Sequence, residues 1–129
     1  MNTGILIIAH APLASALREC VLHVYPESAA GVLALDVHAN DATEATHQAV
    51  IRLLEQLRAP NTLVLTDVFG ATPCNVAQKV VDGVHSRLVA GVNLPMLLRA
   101  LTYRDKGMDI LLQRARDGGR DGVFNVLDH

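Results

Sequence analysis

Apolar and polar positions alternate between two periods along this chain. Residues 4–9 (GILIIA) form an unbroken apolar run of strand length. Pro12 then stands where a first helical turn would begin, and Leu13, Leu17, Cys20, Val21 and Val24 recur at helical spacing until Tyr25-Pro26 stops them. A second strand is expected at 32–37 (VLALDV). Asp41 and Glu44 have the spacing of a capping box, and Ala45, Ala49, Leu53 and Leu57 continue one face of the helix it would open. Pro60-Asn61 turns the chain into a third strand at 62–66 (TLVLT). In "DVFGATPCNVA" Gly70 supplies a turn, Thr72 suits an N-cap and Pro73 the first helical position, with Val76, Val80, Val81 and Val84 facing inward. A fourth strand at 86–91 is followed by a helix from "VNLPMLLRAL" and another from Met108 to Arg116, closed by Gly118-Gly119. A last short strand is expected at 122–126.

Strands alternating with helices imply an α/β fold: a mostly parallel four-stranded sheet, covered on both faces in three α/β/α layers, plus the short C-terminal strand. No repeat, low-complexity segment or linker interrupts the 129 residues, so 1–129 reads as a single domain. Half of the residues are hydrophobic but only 3% are aromatic, so the core is aliphatic, as in sheets covered by helices.

Charge and composition remove several function classes. A net charge of -2 gives no electrostatic ground for nucleic-acid binding. No Lys/Arg run suggests a membrane surface, and no apolar run reaches the roughly 20 residues of a membrane span. No basic n-region precedes the first apolar stretch, which His10 and Pro12 interrupt, so it does not read as a signal peptide. Cys20 and Cys74 fall inside predicted helices and are expected to be reduced, buried thiols of a cytoplasmic protein.

In open parallel sheets ligands bind beyond the carboxyl ends of the strands, near the switch in strand order. His10 follows the first strand, Asp67 the third and Asn93 the fourth, so all three are expected at one rim. A metal site at His10 is poorly supported: no H-x-x-x-H pair exists and the two cysteines are far apart. A nucleotide site lacks both G-x-x-x-x-G-K-[ST] and G-x-G-x-x-G. General-base catalysis on a serine lacks the G-x-S-x-G elbow. Two readings of His10 remain. One is a structural histidine. The other is a phosphate-accepting nucleophile, with Asp67 fixing its tautomer and the Gly70-Ala71-Thr72 helix start offering N–H groups and a hydroxyl to the phosphoryl oxygens.

Three segments, "GILIIAHAPLASAL", "LVLTDVFGATPCNVA" and "VAGVNLPMLLRAL", resemble enzyme IIA of the mannose/fructose/sorbose type from the bacterial phosphoenolpyruvate:sugar phosphotransferase system. The resemblance runs from residue 1 to about 126 in order. A similar domain occurs in the dihydroxyacetone-kinase phosphoryl-donor subunit, whose pattern after the third strand differs. The resemblance implies that His10 carries the phosphoryl group, that Asp67 orients it, and that Thr72 places a hydroxyl beside it, with Gly70 and Ala71 completing the phosphate-binding turn. Ala11 departs from the Gly or Ser often found there and removes a side-chain donor. Phe69, Leu94 and Met96 are expected as an apolar rim for protein partners.

The implied donor is the histidine phosphocarrier protein and the implied acceptor a histidine on a IIB domain or protein. No metal, nucleotide or other cofactor is implied. The family forms homodimers that exchange the C-terminal strand, a role residues 122–126 would fill. The 129 residues contain no fused IIB domain. Two physiological roles therefore stand side by side. One is sugar uptake, with the protein peripheral to the membrane permease only through its partners. The other is a regulatory module that binds other proteins according to the phosphorylation state of His10, without transport.

Overall fold

The computed structural model describes residues 3–128. It contains β1 (Thr3–His10), α1 (Leu13–Val24), a 3₁₀ segment (Pro26–Gly31), β2 (Val32–Val37), α2 (Thr43–Leu57), β3 (Asn61–Thr66), α3 (Thr72–Gln78), β4 (Ser86–Ala90), α4 (Leu94–Thr102) and α5 (Met108–Asp121). All strand pairings are parallel, in the order β2-β1-β3-β4. The chain moves from β1 to one side, then crosses back over β1 to β3. The switch in strand order therefore lies between β1 and β3.

The period of two within the strands builds two cores. Ile5, Ile7 and Ala9, with Leu63 and Leu65, face a layer formed by α1, α4 and α5. Leu6 and Ile8, with Val64, face α2 and α3. Residues 5–9 have no exposure at all, which is why the sequence reads as a continuous apolar run and not as alternation. The three-layer α/β/α expectation holds.

The helix faces differ from those expected in detail. In α1 the buried positions are Ala14 and Val21, while Leu13, Cys20 and Val24 are exposed. Cys20 is thus a surface thiol, and Cys74 alone is the buried one. The helix α2 starts at Thr43 after Ala42, and no side chain caps it. Asp41 instead accepts the His38 N–H at 2.8 Å, and Glu44 accepts from Gln48, so the expected capping box does not form. The polar spacing fits a tight turn equally well, and the turn is what forms. At α3 the N-cap is Ala71, with Thr72 and Pro73 in the first turn. That helix stops at Gln78, leaving Val84 exposed in the following loop.

The largest departure is at the C-terminus. The helix α5 runs through Gly118-Gly119 to Asp121, and among the described residues 122–126 form no strand. The two glycines do not end the helix; they let it approach α4. A Cβ on Gly118 would lie 2.6 Å from Arg99 Cβ, and one on Gly119 would lie 2.8 Å from Met96 Cε. Without pairing by residues 122–126, β4 is an edge strand in this chain.

Candidate functional site

The site forms where β1 and β3 end. His10 is the last residue of β1 and the only one of that strand with an exposed side chain. Pairing of Ile8 with Thr66 sets the register that brings Asp67, the next residue after β3, opposite His10. Asp67 Oδ2 lies 2.6 Å from His10 Nδ1 and also accepts the His10 backbone N–H at 3.1 Å. The other oxygen, Oδ1, accepts the Val68 N–H at 2.9 Å. The Asp67 side chain is 13% exposed and that of His10 52%. A largely covered carboxylate thus holds an accessible ring.

Burial pushes the Asp67 carboxyl up, but hydrogen bonds from the His10 ring, the His10 N–H and the Val68 N–H outweigh it, and its pKa lies below the ordinary 3.8. Asp67 is therefore ionised at neutral pH and acts only as an acceptor. A neutral His10 ring must then carry its proton on Nδ1 and leave a lone pair on Nε2. This resolves the tautomer on chemical grounds.

An open cleft of about 610 Å³ adjoins His10. Its polar lining comes from His10, His38, Asp41, Thr43 and Thr72. The structure therefore brings together His10, Asp67 and Thr72, as the sequence suggested. Gly70 has φ +89°, a left-handed conformation that permits the turn from β3 into α3. Ala71 is the α3 N-cap. The N–H groups of Thr72 and Cys74 precede the first intrahelical donor, the Asn75 N–H, which bonds the Ala71 carbonyl at 2.9 Å, while Pro73 has no N–H to offer.

Asn93 does not join the site. Its side chain accepts the Met96 N–H at 2.9 Å and donates to the Gly119 carbonyl at 2.9 Å, tying α4 to α5. Met96 is buried, and Leu94 packs on the same core, so neither forms an apolar rim. Phe69 does, at 76% exposure, together with Val68 at 51%.

The side of the cleft formed by the β2–α2 turn was not anticipated. His38, Asp41 and Thr43 occupy it. The signal was present: "VHAND" spans the end of β2 as "AHAPL" spans the end of β1, and each places a histidine at the strand end.

A family model described as the phosphotransferase-system (PTS) fructose IIA component matches residues 4–111. The sorbose-specific EIIA component of Lacticaseibacillus casei is 30% identical over 95 residues, covering 73% of this chain and 68% of that protein. The mannose-specific EIIAB component of Escherichia coli K12 is 44% identical over 64 residues, which are 47% of this chain but only 20% of that longer protein. Among solved structures, the mannose/sorbose-specific IIA subunit from Enterococcus faecalis superposes with a TM-score of 0.85 at 26% identity, covering 98% of this chain and 96% of that one. No helix among the described residues is long and apolar enough to cross a membrane. Matched by the family model over most of its length and sharing its fold with a IIA subunit, the chain belongs to the PTS fructose IIA component family.

Proposed function

We propose that this protein is a phosphoryl carrier. His10 accepts a phosphoryl group from the histidine phosphocarrier protein and passes it to a histidine on a IIB domain or protein. The observation that carries this reading is the 2.6 Å contact between Asp67 Oδ2 and His10 Nδ1 at the strand switch. It leaves Nε2 as the nucleophile on an accessible ring.

In the forward step the Nε2 lone pair attacks phosphorus, and the phosphorus–nitrogen bond of the donor phosphohistidine breaks. Its electron pair returns to the donor ring, which carries a proton on its other nitrogen and so becomes neutral imidazole. The His10 ring becomes a phosphorylated imidazolium, still donating Nδ1–H to Asp67, whose negative charge stabilises it. No proton needs to cross between the partners. The Thr72 hydroxyl and the turn Gly70-Ala71-Thr72 supply donors to the phosphoryl oxygens. The incoming group is already activated on nitrogen, so the reaction calls for positioning and charge stabilisation alone. Phe69 and Val68, exposed beside Asp67, suit an apolar contact with both protein partners. Such a protein works in the cytoplasm and reaches the membrane permease only through those partners.

The test is incubation with phosphoenolpyruvate, enzyme I and the carrier protein, followed by mapping of the acid-labile phosphate. Label on His10 is expected. Label confined to another histidine would contradict the reading.

The same family reading includes a homodimer in which residues 122–126 pair with the partner's β4. The unpaired outer edge of β4 supports it. So does the exposure of Val123 (75%) and Leu127 (93%), large apolar residues beyond α5. Sedimentation at micromolar concentration should give a dimer, and deletion of residues 123–129 should give monomers or aggregates. A monomeric intact chain would contradict it.

A further inference from the structure

The phosphoryl group that His10 would carry brings about two negative charges into a cleft that already holds the carboxylate of Asp41, with Asp67 behind the ring. None of the residues lining that cleft is Lys or Arg. Apart from His10 itself, the one lining side chain able to bear a positive charge is His38.

The fold places His38 there deliberately in geometric terms. The strand β2 is hydrogen-bonded directly to β1, and His10 pairs with Val37 in the register. The Ala11 N–H donates to the Val37 carbonyl at 2.9 Å, which holds the two strand ends together one residue past His10. His38 is the next residue. Its backbone is pinned by Asp41: the His38 N–H donates to Asp41 Oδ2 at 2.8 Å, and the Asp41 N–H donates to the His38 carbonyl at 3.1 Å. The main chain is fixed while the ring is exposed, with no hydrogen-bond partner among the described residues.

We propose that the His38 imidazole donates an N–H to the phosphoryl group on His10, from the side of the cleft opposite Thr72. The ring offers one donor when neutral and two when protonated, so the contact is available in either form. This deepens the phosphoryl-carrier reading and rests on it. The cleft contains no other mobile donor with a charge to match, so loss of His38 leaves a phosphoryl oxygen to water and to the Asp41 carboxylate.

The experiment compares the intact chain with His38→Ala and His38→Gln, each phosphorylated by the carrier protein. Transfer is followed by quenched flow, and the phosphohistidine by phosphorus NMR. His38→Ala should slow transfer about tenfold, below the ~10²–10³ of a buried oxyanion donor because this cleft is open to water. It should also move the phosphorus resonance of phospho-His10. His38→Gln, which keeps an N–H donor, should recover part of the rate. Both variants should keep the parent's fold, because the turn is held by main-chain bonds to Asp41, and circular dichroism checks this. Labelled His10 with rate and resonance unchanged in His38→Ala would overturn the inference and leave the carrier reading intact. An intact chain that takes no label on His10 would overturn both.

Discussion

Among the described residues two histidine rings lie within 4 Å of an aspartate carboxylate, at opposite ends of the sheet. His10 and Asp67 meet at the carboxyl ends of β1 and β3. His85 and Asp82 lie in the loop that leads into the start of β4. In the first pair the partners are 57 residues apart and the contact is 2.6 Å. In the second they are three residues apart and 3.6 Å separates them, beyond hydrogen-bond distance. The Asp67 side chain is 13% exposed, that of Asp82 52%. Asp82 Oδ1 is engaged by the backbone N–H groups of Ser86, Val84 and His85 at 2.8–2.9 Å. Its carboxylate closes a turn and leaves the His85 ring unoriented. Proximity of the two residue types is thus a poor guide to chemistry. What distinguishes His10 is that a largely covered carboxylate holds one nitrogen of an otherwise accessible ring.

The comparison predicts unequal losses. His10→Ala should abolish phosphorylation by the carrier protein, whereas His85→Ala should be labelled as fast as the parent chain. Radiolabel incorporation in the two variants checks this directly, and loss of carrier-dependent labelling in His85→Ala would erase the distinction.

Replacing the carboxylates is the next test. Asp67→Asn can present its amide to His10 in either orientation and so hold the wrong tautomer. It should slow transfer by roughly 10²-fold or more, the scale of positioning effects, while remaining folded, because Asp67 lies at a strand end. Asp82→Asn should leave the transfer rate unchanged and lower the melting temperature. Quenched flow and thermal melts, run on both variants, separate the two effects.

A smaller effect is expected in acid. Hydrogen bonds from the Ser86 and Val84 N–H groups hold the Asp82 carboxyl below its ordinary 3.8, and Asp67 is lowered as well. A carboxyl whose folded-state pKa is depressed stabilises the fold above the unfolded value, and that contribution disappears as pH falls through the folded one. The contribution of these two carboxyls should therefore be constant near neutrality and decline as pH drops below about 4. Asp82→Asn should decline less steeply over that range. A variant curve parallel to that of the parent would mean that Asp82 does not contribute to the acid transition.

The rim of the sheet was legible in the sequence because β1 and β3 are mainly apolar runs that stop at a polar residue. His10 and Asp67 mark the ends of β1 and β3 plainly, and Gly70 to Pro73 mark the turn into α3. Which rim residues meet was less legible, since that depends on strand order. The order β2-β1-β3-β4 puts His38 beside His10, and it leaves Asn93 to join α4 to α5. Asp36 is a similar case. Placed in β2, it accepts the Ser15 N–H at 3.0 Å and tethers the start of α1, a long-range bond that no local pattern announces. The C-terminal region was misread for a different reason. A glycine that ends a helix and a glycine that admits a neighbouring helix are the same letter. Gly118 against Arg99 is the second kind, so α5 continues where a stop was expected.

The central claim is that Asp67 holds Nδ1–H of His10 and leaves Nε2 to carry the phosphoryl group. Nitrogen-15 NMR of the histidine-labelled protein, before and after phosphorylation by the carrier, tests it most directly. The account predicts a neutral His10 ring protonated at Nδ1 before transfer, and phosphorus bonded to Nε2 with the Nδ1 proton retained afterwards. Phosphorus on Nδ1, or a resting ring protonated at Nε2, would contradict it.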